Sequence, residues 1–78
     1  MTTPRQQLAK QLGARIALLR SKRNVTQERC AWEAGLSKAY LSQIEAGKRL
    51  PSLPTLHALA GQLGVEMGDL FVFPKSRS

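Results

Sequence analysis

The side chains with chemistry to offer lie between residues 27 and 49, and they are amides, hydroxyls and cations. Lys38, Ser42 and Gln43 share one side of a short amphipathic pattern whose apolar positions are Leu41 and Ile44. Because helical faces repeat every three to four residues, the polar side chains should point outward if the apolar ones point inward. Such a row of donors and acceptors suits hydrogen bonding to a polar partner rather than acid–base catalysis.

Two short helices joined by a tight turn must position these side chains. Thr26 is a good N-cap for a helix over Gln27–Ala34, and Ser37 is a good N-cap for a second over Lys38–Glu45. Gly35 between them suits the left-handed conformation that ends a helix. This is the spacing of a helix-turn-helix, which holds its second helix out from the surface, where it can enter a DNA major groove.

The rest of the chain predicts three more helices. Apolar residues recur at helical spacing over about residues 4–22, which predicts a long first helix. The prolines within residues 50–54 predict a stiff extended loop, and Thr55 is expected to cap a fourth helix that stops at Gly64. A short fifth helix is expected over about residues 66–72.

The expected fold is therefore all-α, a compact domain of five helices that covers residues 1–78. Its core should span about residues 5–73, with a frayed polar tail over 74–78. Cys30 is expected to pack as a small apolar residue.

Charge is distributed unevenly along the 78 residues, whose net charge is +7. Ten of the twelve Lys and Arg residues but only three of the five acidic residues lie in residues 1–50, so residues 51–78 are neutral. This indicates one polyanion-binding face and a second face with another use. A high isoelectric point that only favours solubility is the alternative.

Several classes of protein are disfavoured. No acid–base pair, nucleophile–base arrangement or phosphate loop indicates an enzyme, and no cofactor is expected. The single Cys30 and single His57 are too few for a usual zinc site, and one cysteine cannot form an internal disulfide. Neither a membrane span nor a secretory signal is seen, so a cytoplasmic protein is expected.

A longer pattern covers roughly residues 8–73. Its residues are Leu12-Gly13-Ala14-Arg15-Ile16, Leu19-Arg20, Thr26-Gln27-Glu28, Ala31, Ala34-Gly35-Leu36-Ser37, Leu41-Ser42-Gln43-Ile44-Glu45, Gly47, Pro51-Ser52-Leu53 and the stretch from Leu56 to Val65. Taken together they resemble the helix-turn-helix family of Cro and the phage repressors, also called the xenobiotic-response-element family.

The resemblance implies that the third helix reads base edges through its N-terminal half and the next polar positions, which are Ser37, Lys38, Ala39, Tyr40, Ser42 and Gln43. Lys38 can donate to guanine O6 or N7, Gln43 can pair with adenine, and Ala39 can touch a thymine methyl. Tyr40 can reach a phosphate through its hydroxyl. The alternative is that some of these side chains are only solvated.

The resemblance also assigns residues around the third helix. The family's glutamine at the position of Gln27 bonds the DNA backbone and can brace the recognition helix, although a capping-turn role alone is the alternative. Lys48 and Arg49 fit phosphate contacts, unless their loop is merely solvated. Glu45 is expected to pair with an arginine of the first helix, and Arg15 is the candidate.

The C-terminal segment holds more apolar residues than so small a core can bury. Leu70 and Val65 are expected to close the core, while Met67, Phe71 and Phe73 should contribute to an exposed patch. With no net charge nearby, this patch predicts a symmetric dimer through the fourth and fifth helices. A monomer with a frayed C-terminus is the alternative.

The expected function is sequence-specific regulation of transcription by a homodimer on an inverted repeat in double-stranded DNA. In size and architecture the chain is similar to the controller proteins of restriction–modification systems and to small phage repressors. The rival is an antitoxin-type protein that binds a partner and controls its own promoter. RNA polymerase or a toxin are the possible protein partners.

Overall fold

Four α-helices and one 3₁₀ helix make up the part of the chain that the computed structural model describes, residues 1–74. In chain order they are α1 (Pro4–Lys22), α2 (Gln27–Ala34), α3 (Lys38–Glu45), α4 (Leu53–Leu63) and the 3₁₀ helix (Met67–Phe71). These residues contain no strand, so the all-α class is confirmed. The tail expected to fray over 74–78 lies, apart from Pro74, outside the described residues.

The caps of α2 and α3 form as the sequence predicts. The Thr26 hydroxyl accepts a hydrogen bond from the Arg29 backbone N–H at 3.1 Å, which ties down the first turn of α2. Ser37 does the same for the Tyr40 N–H at 3.0 Å. Gly35 ends α2 with φ of 76°, in the left-handed region that favours glycine. The turn between the two helices is thereby fixed at both sides.

The fourth helix begins earlier than the prolines and Thr55 predict. Ser52 is its N-cap and accepts from the Thr55 backbone N–H at 3.3 Å, so the predicted cap at Thr55 is wrong. Pro54 lies inside the first turn, where a missing N–H costs nothing because no helical carbonyl is available to it. The extended segment therefore ends at Ser52 rather than at residue 54.

The predicted fifth helix is a 3₁₀ helix of five residues, so residues 1–74 contain four α-helices rather than five. The Asp69 side chain accepts from the Glu66 N–H at 3.0 Å, and the Asp69 N–H donates to the Glu66 carbonyl at 2.9 Å. So short a segment, with Gly68 inside it, satisfies its backbone better by i→i+3 bonds than by the longer α pattern.

The core draws on every helix. Its largest fully buried side chains are Leu12, Ile16, Cys30, Leu41, Ile44, Leu59 and Leu70. Leu70 closes the core as expected, while Val65 is only half-buried and packs against it. The first helix crosses α3 so closely at Gly13 that an added Cβ would collide with the carbonyl oxygens of Ile44 and Glu45. This contact fixes α3 from behind, on the side opposite its polar face.

Candidate nucleic-acid interface

The outer face of α3 carries the side chains that the sequence assigns to it. Lys38, Ser42 and Gln43 are exposed, as is Ala39, while the two apolar positions of the helix are fully buried. The predicted facing of α3 is therefore confirmed. Contact of these four side chains with DNA stays a prediction.

Tyr40 and Arg49 interact in a way that the sequence does not predict. Tyr40 lies in the first turn of α3, half-buried against the core, and the Arg49 guanidinium carbon lies 5.5 Å from the centre of its ring. Such a cation–π contact orients the guanidinium while leaving hydrogens at its edge for an acceptor. Although Arg49 follows α3 in sequence, it lies over the start of that helix, and Lys48 beside it is exposed.

Gln27 and Glu45 join α2 to α3. The Gln27 side-chain amide donates from Nε2 to Glu45 Oε1 at 2.8 Å, which is a bracing contact of the kind the family resemblance implies. Arg20 binds the same carboxylate from α1, and it also donates to the Val25 carbonyl at 2.7 Å. These contacts therefore hold α1, α2 and α3 in fixed positions at the C-terminal end of α3.

Arg20, and not Arg15, is the partner of Glu45, so the predicted pair is wrong. Arg20 lies at the end of α1, beside the turn into α2, where the C-terminal end of α3 approaches. Arg15 lies more than a turn earlier and donates from Nε to the Asp69 carbonyl at 2.8 Å. The hydrogen bond to Glu45 raises the pKa of Arg20 despite the opposing effect of burial, so the guanidinium stays charged.

Several arginines in and just after α1 serve the fold. Arg15 and Arg20 are bound as described, and Arg23 donates from Nη1 to the Leu63 carbonyl at 3.1 Å. The net charge of +7 therefore overstates the cations that are free to meet a polyanion. Lys38, Lys48 and Arg49 are exposed in or just after α3, where they remain available to a polyanion.

The three residues predicted to form a dimer patch have different surroundings. Met67 is half-buried beside His57 and Gly61 of α4. Phe73 is also half-buried and packs against the core, with its ring edge-on to that of Phe71 at 6.3 Å between centroids. Phe71 is 40% exposed and is the only one of the three residues classed as exposed.

The outer face of α4 is a surface that the sequence analysis missed. Leu53 is 68% exposed, and His57 and Gly61 follow it at helical spacing, also exposed. Residues 50–65 contain no Asp, Glu, Lys or Arg, which was the signal that could have revealed this face. A surface helix normally carries charges on its solvent side, so this face is unusual.

Neither metal chemistry nor a membrane segment is visible over residues 1–74. No cluster of three or more His, Cys, Asp or Glu side chains lies close enough to hold a metal ion there. None of the helices in this range has the length and apolar character needed to cross a membrane.

Two capped helices joined by a glycine turn, with a polar outer face on the second, define a helix-turn-helix domain. The chain belongs to the helix-turn-helix domain family, whose pattern matches residues 11–71. The predicted resemblance to phage repressors and controller proteins is confirmed by the relatives.

The immunity repressor protein of Bacillus phage phi105 is 45% identical over 59 residues, which are 76% of this chain and 41% of the repressor. The chain thus spans less than half of that relative. The control protein C.BamHI of Bacillus amyloliquefaciens is 39% identical over 62 residues, or 78% of this chain and 76% of that protein.

A solved structure of a controller protein is also similar to this chain. The restriction–modification controller protein C.AhdI of Aeromonas hydrophila superposes with a TM-score of 0.79 at 33% identity, covering 81% of this chain and 96% of its own. These relatives place the chain in a class of DNA-binding transcriptional regulators.

Proposed function

We propose that the chain regulates transcription by sequence-specific DNA binding, with α3 in the major groove. One observation carries this proposal: the polar face of α3 is exposed while the opposite face is fully buried and braced by Gln27 and Arg20 through Glu45. A helix fixed in this way can present its side chains to base edges without rearrangement, which limits the entropy lost on binding.

Base reading falls to the exposed positions of α3. Lys38, in the first turn, donates to guanine O6 or N7, and Gln43, five residues later, pairs with the N6 and N7 edge of adenine. Ala39 contacts a thymine methyl, and Ser42 donates or accepts at a neighbouring base. Such contacts discriminate among base pairs because each pair presents a distinct pattern in the major groove.

Phosphate contacts flank the reading helix. Gln27 lies in the first turn of α2, where unpaired backbone N–H groups favour an anion. Lys48 and the Arg49 guanidinium over Tyr40 bind phosphates on the other side of α3, and the Tyr40 hydroxyl donates to a phosphate there. Ser37 acts mainly as the N-cap of α3, so its role is to fix the first turn of that helix and thereby the position of Lys38.

The acting form is a homodimer on an inverted repeat, formed through α4 and the 3₁₀ helix. Two chains of net charge +7 repel each other wherever basic residues meet, and the charge-free face of Leu53, His57 and Gly61 avoids this repulsion. Met67 adjoins that face, and Phe71, supported edge-on by Phe73, adds exposed apolar area. A two-fold axis through this surface would place each of these residues in the interface twice, once from each subunit.

Selection from a pool of random duplexes tests the proposal. The protein should enrich an inverted repeat, and Gln43→Ala should relax the preference at one base pair in each half-site. Gln7→Ala, an exposed glutamine of α1, is the matched control and should select the same repeat as the unchanged protein. Failure to enrich any sequence, while binding to bulk DNA persists, would exclude a specific regulator.

A further inference from the structure

A groove of about 570 Å³ separates α1 from the segment that follows the 3₁₀ helix, and the DNA-binding proposal does not use it. The residues that carry its character are Lys10, Ala14, Arg15 and Leu18 on α1, with Val72 and Phe73 on the opposite wall. Its size falls within the range of small-molecule sites, and most of these side chains are apolar.

The groove has a polar end and an apolar end. Lys10, Ala14 and Leu18 are spaced four residues apart, so they share one helix face and span about 12 Å along the axis. Lys10 lies at one end and the exposed Leu18 at the other, while the small side chain of Ala14 leaves depth between them. An occupant with one charged end and an apolar body matches this gradient.

The charge of the groove has one sign. Lys10 and Arg15 are its two titratable lining residues among those described, and both are cations. The hydrogen bond from Arg15 Nε to the Asp69 carbonyl, at 2.8 Å, holds the guanidinium at the groove wall. Lys10 at the polar end and Arg15 along the wall make the potential of the groove positive, and its lining residues within 1–74 include no Asp or Glu, which favours an anionic occupant.

Other occupants fit less well. A second copy of the chain, itself +7, would be repelled by the cationic rim, and the charge-free α4 face is the better contact for it. Residues 75–78 read Lys-Ser-Arg-Ser and offer no apolar side chain to fill the groove.

We propose that this groove binds a small anionic amphiphile. A carboxylate head lies at Lys10, at the polar end, and an aliphatic or aromatic body covers Ala14, Leu18 and Val72, with Arg15 on the wall adding positive charge along the groove. The chain would then carry an effector site formed by residues that the DNA-binding proposal does not use.

Octanoate is the probe, titrated into the ¹⁵N-labelled protein and followed by amide chemical shifts. Amides of residues 10–18 and 72–73 should shift saturably, with a Kd in the millimolar range. Octylammonium, which has the same chain and the opposite charge, should bind at least about tenfold more weakly. Lys10→Glu should weaken octanoate binding about tenfold, whereas Arg5→Glu, the same charge change outside the groove, should alter it less than about twofold.

Ala14→Phe tests the body of the groove, because a ring there fills its floor. This variant should keep the circular dichroism of the unchanged protein and lose octanoate binding. Equal binding of the two amphiphiles, or no saturable shift with either, would overturn the site. Conversion of a dimer to monomer by Ala14→Phe in sedimentation would assign the groove to a second copy and would also overturn it.

Discussion

Arg20 and Glu45 form a two-pronged ion pair between the C-terminal ends of α1 and α3. Arg20 Nε lies 2.7 Å from Glu45 Oε2, and Nη2 lies 3.0 Å from Oε1. The side chains are only 19% and 6% exposed, so the pair is shielded from water. Because Gln27 binds the same carboxylate, the contact sets the position of α2 as well as that of α3.

Breaking this pair should destabilise the fold. We expect Arg20→Ala to lower the free energy of unfolding by about 2–4 kcal/mol, because it strands a buried carboxylate. Arg20→Lys should recover only part of that loss, since an ammonium cannot make the parallel bonds. Urea unfolding followed by circular dichroism measures both.

Arg29 and Glu33 provide the control, because their ion pair within α2 is exposed and 3.3 Å long. Arg29→Ala should cost no more than about 0.5 kcal/mol. Equal losses for Arg20→Ala and Arg29→Ala would show that the Arg20 pair does not support the core.

Local sequence signals predict the helices that carry the site, whereas contacts between distant residues are harder to predict from the sequence. Thr26, Gly35 and Ser37 act on their own neighbours, so the bounds of α2 and α3 could be derived from capping and turn chemistry alone. The choice between Arg15 and Arg20 as the partner of Glu45 could not be derived in this way, because it depends on where α3 crosses α1. Periodicity places both arginines on α1 but does not give that crossing point.

The same limit explains the C-terminal half. Composition shows that this segment is rich in apolar residues, but it does not show which of them face solvent. In the folded chain Met67 and Phe73 are half-buried. A start of α4 at Thr55 follows only if Pro54 forbids a helix. Its position in the first turn removes that restriction.

Binding to duplex DNA should depend strongly on salt. If each subunit contacts roughly three to five phosphates, a dimer should show a slope of about −5 to −9 in log affinity against log salt. Fluorescence anisotropy between low and physiological salt gives the slope. Lys48→Ala should make it less negative by about two, one for each subunit. A slope near zero would contradict any polyanion-binding function.

Lys38 and Gln43 should control specificity rather than general affinity. Replacing either with Ala is expected to cost about 1–3 kcal/mol on the selected repeat and much less on random DNA. Arg49→Ala should weaken binding to both DNAs alike, since its proposed contact is with phosphate. Competition titrations separate the two classes, and an equal loss on both DNAs for Gln43→Ala would show that it reads no base.

Cys30 should make stability depend on pH in the alkaline range. Burial raises the pKa of its thiol above the ordinary 9.0, and the Glu45 carboxylate nearby adds to the effect. The folded chain then keeps a proton that the unfolded chain loses above that pH. Its stabilising contribution is therefore complete below about pH 9 and declines as pH rises through the raised pKa, by up to about 1.4 kcal/mol per pH unit.

The comparison with Cys30→Ala isolates that effect, because all other titrating groups are common to both proteins. The difference in unfolding free energy between them should be constant from pH 7 to 8.5 and should narrow above pH 9. Urea titrations under reducing conditions supply the values. Parallel curves throughout would mean that the thiol does not titrate differently on folding.

Charge placed on the α4 face or on the 3₁₀ helix should separate the dimer. Leu53→Glu and Phe71→Glu each remove exposed apolar area and add two like charges across the two-fold axis. Because each change occurs twice, we expect about 2–4 kcal/mol per dimer, roughly a 30- to 1,000-fold rise in the dissociation constant. Trp32→Glu is the control, since Trp32 is 82% exposed on α2 and is not among the residues of the proposed contact.

Sedimentation equilibrium with circular dichroism distinguishes the outcomes. The two interface variants should be folded monomers, and Trp32→Glu should stay dimeric. Binding to the inverted repeat should weaken sharply in the monomers, because one half-site offers only half of the phosphate and base contacts. If both interface variants stayed dimeric, the dimer contact would lie elsewhere. If Phe71→Glu alone unfolded, its ring would belong to the core, and the oligomeric state of Leu53→Glu would then test the interface.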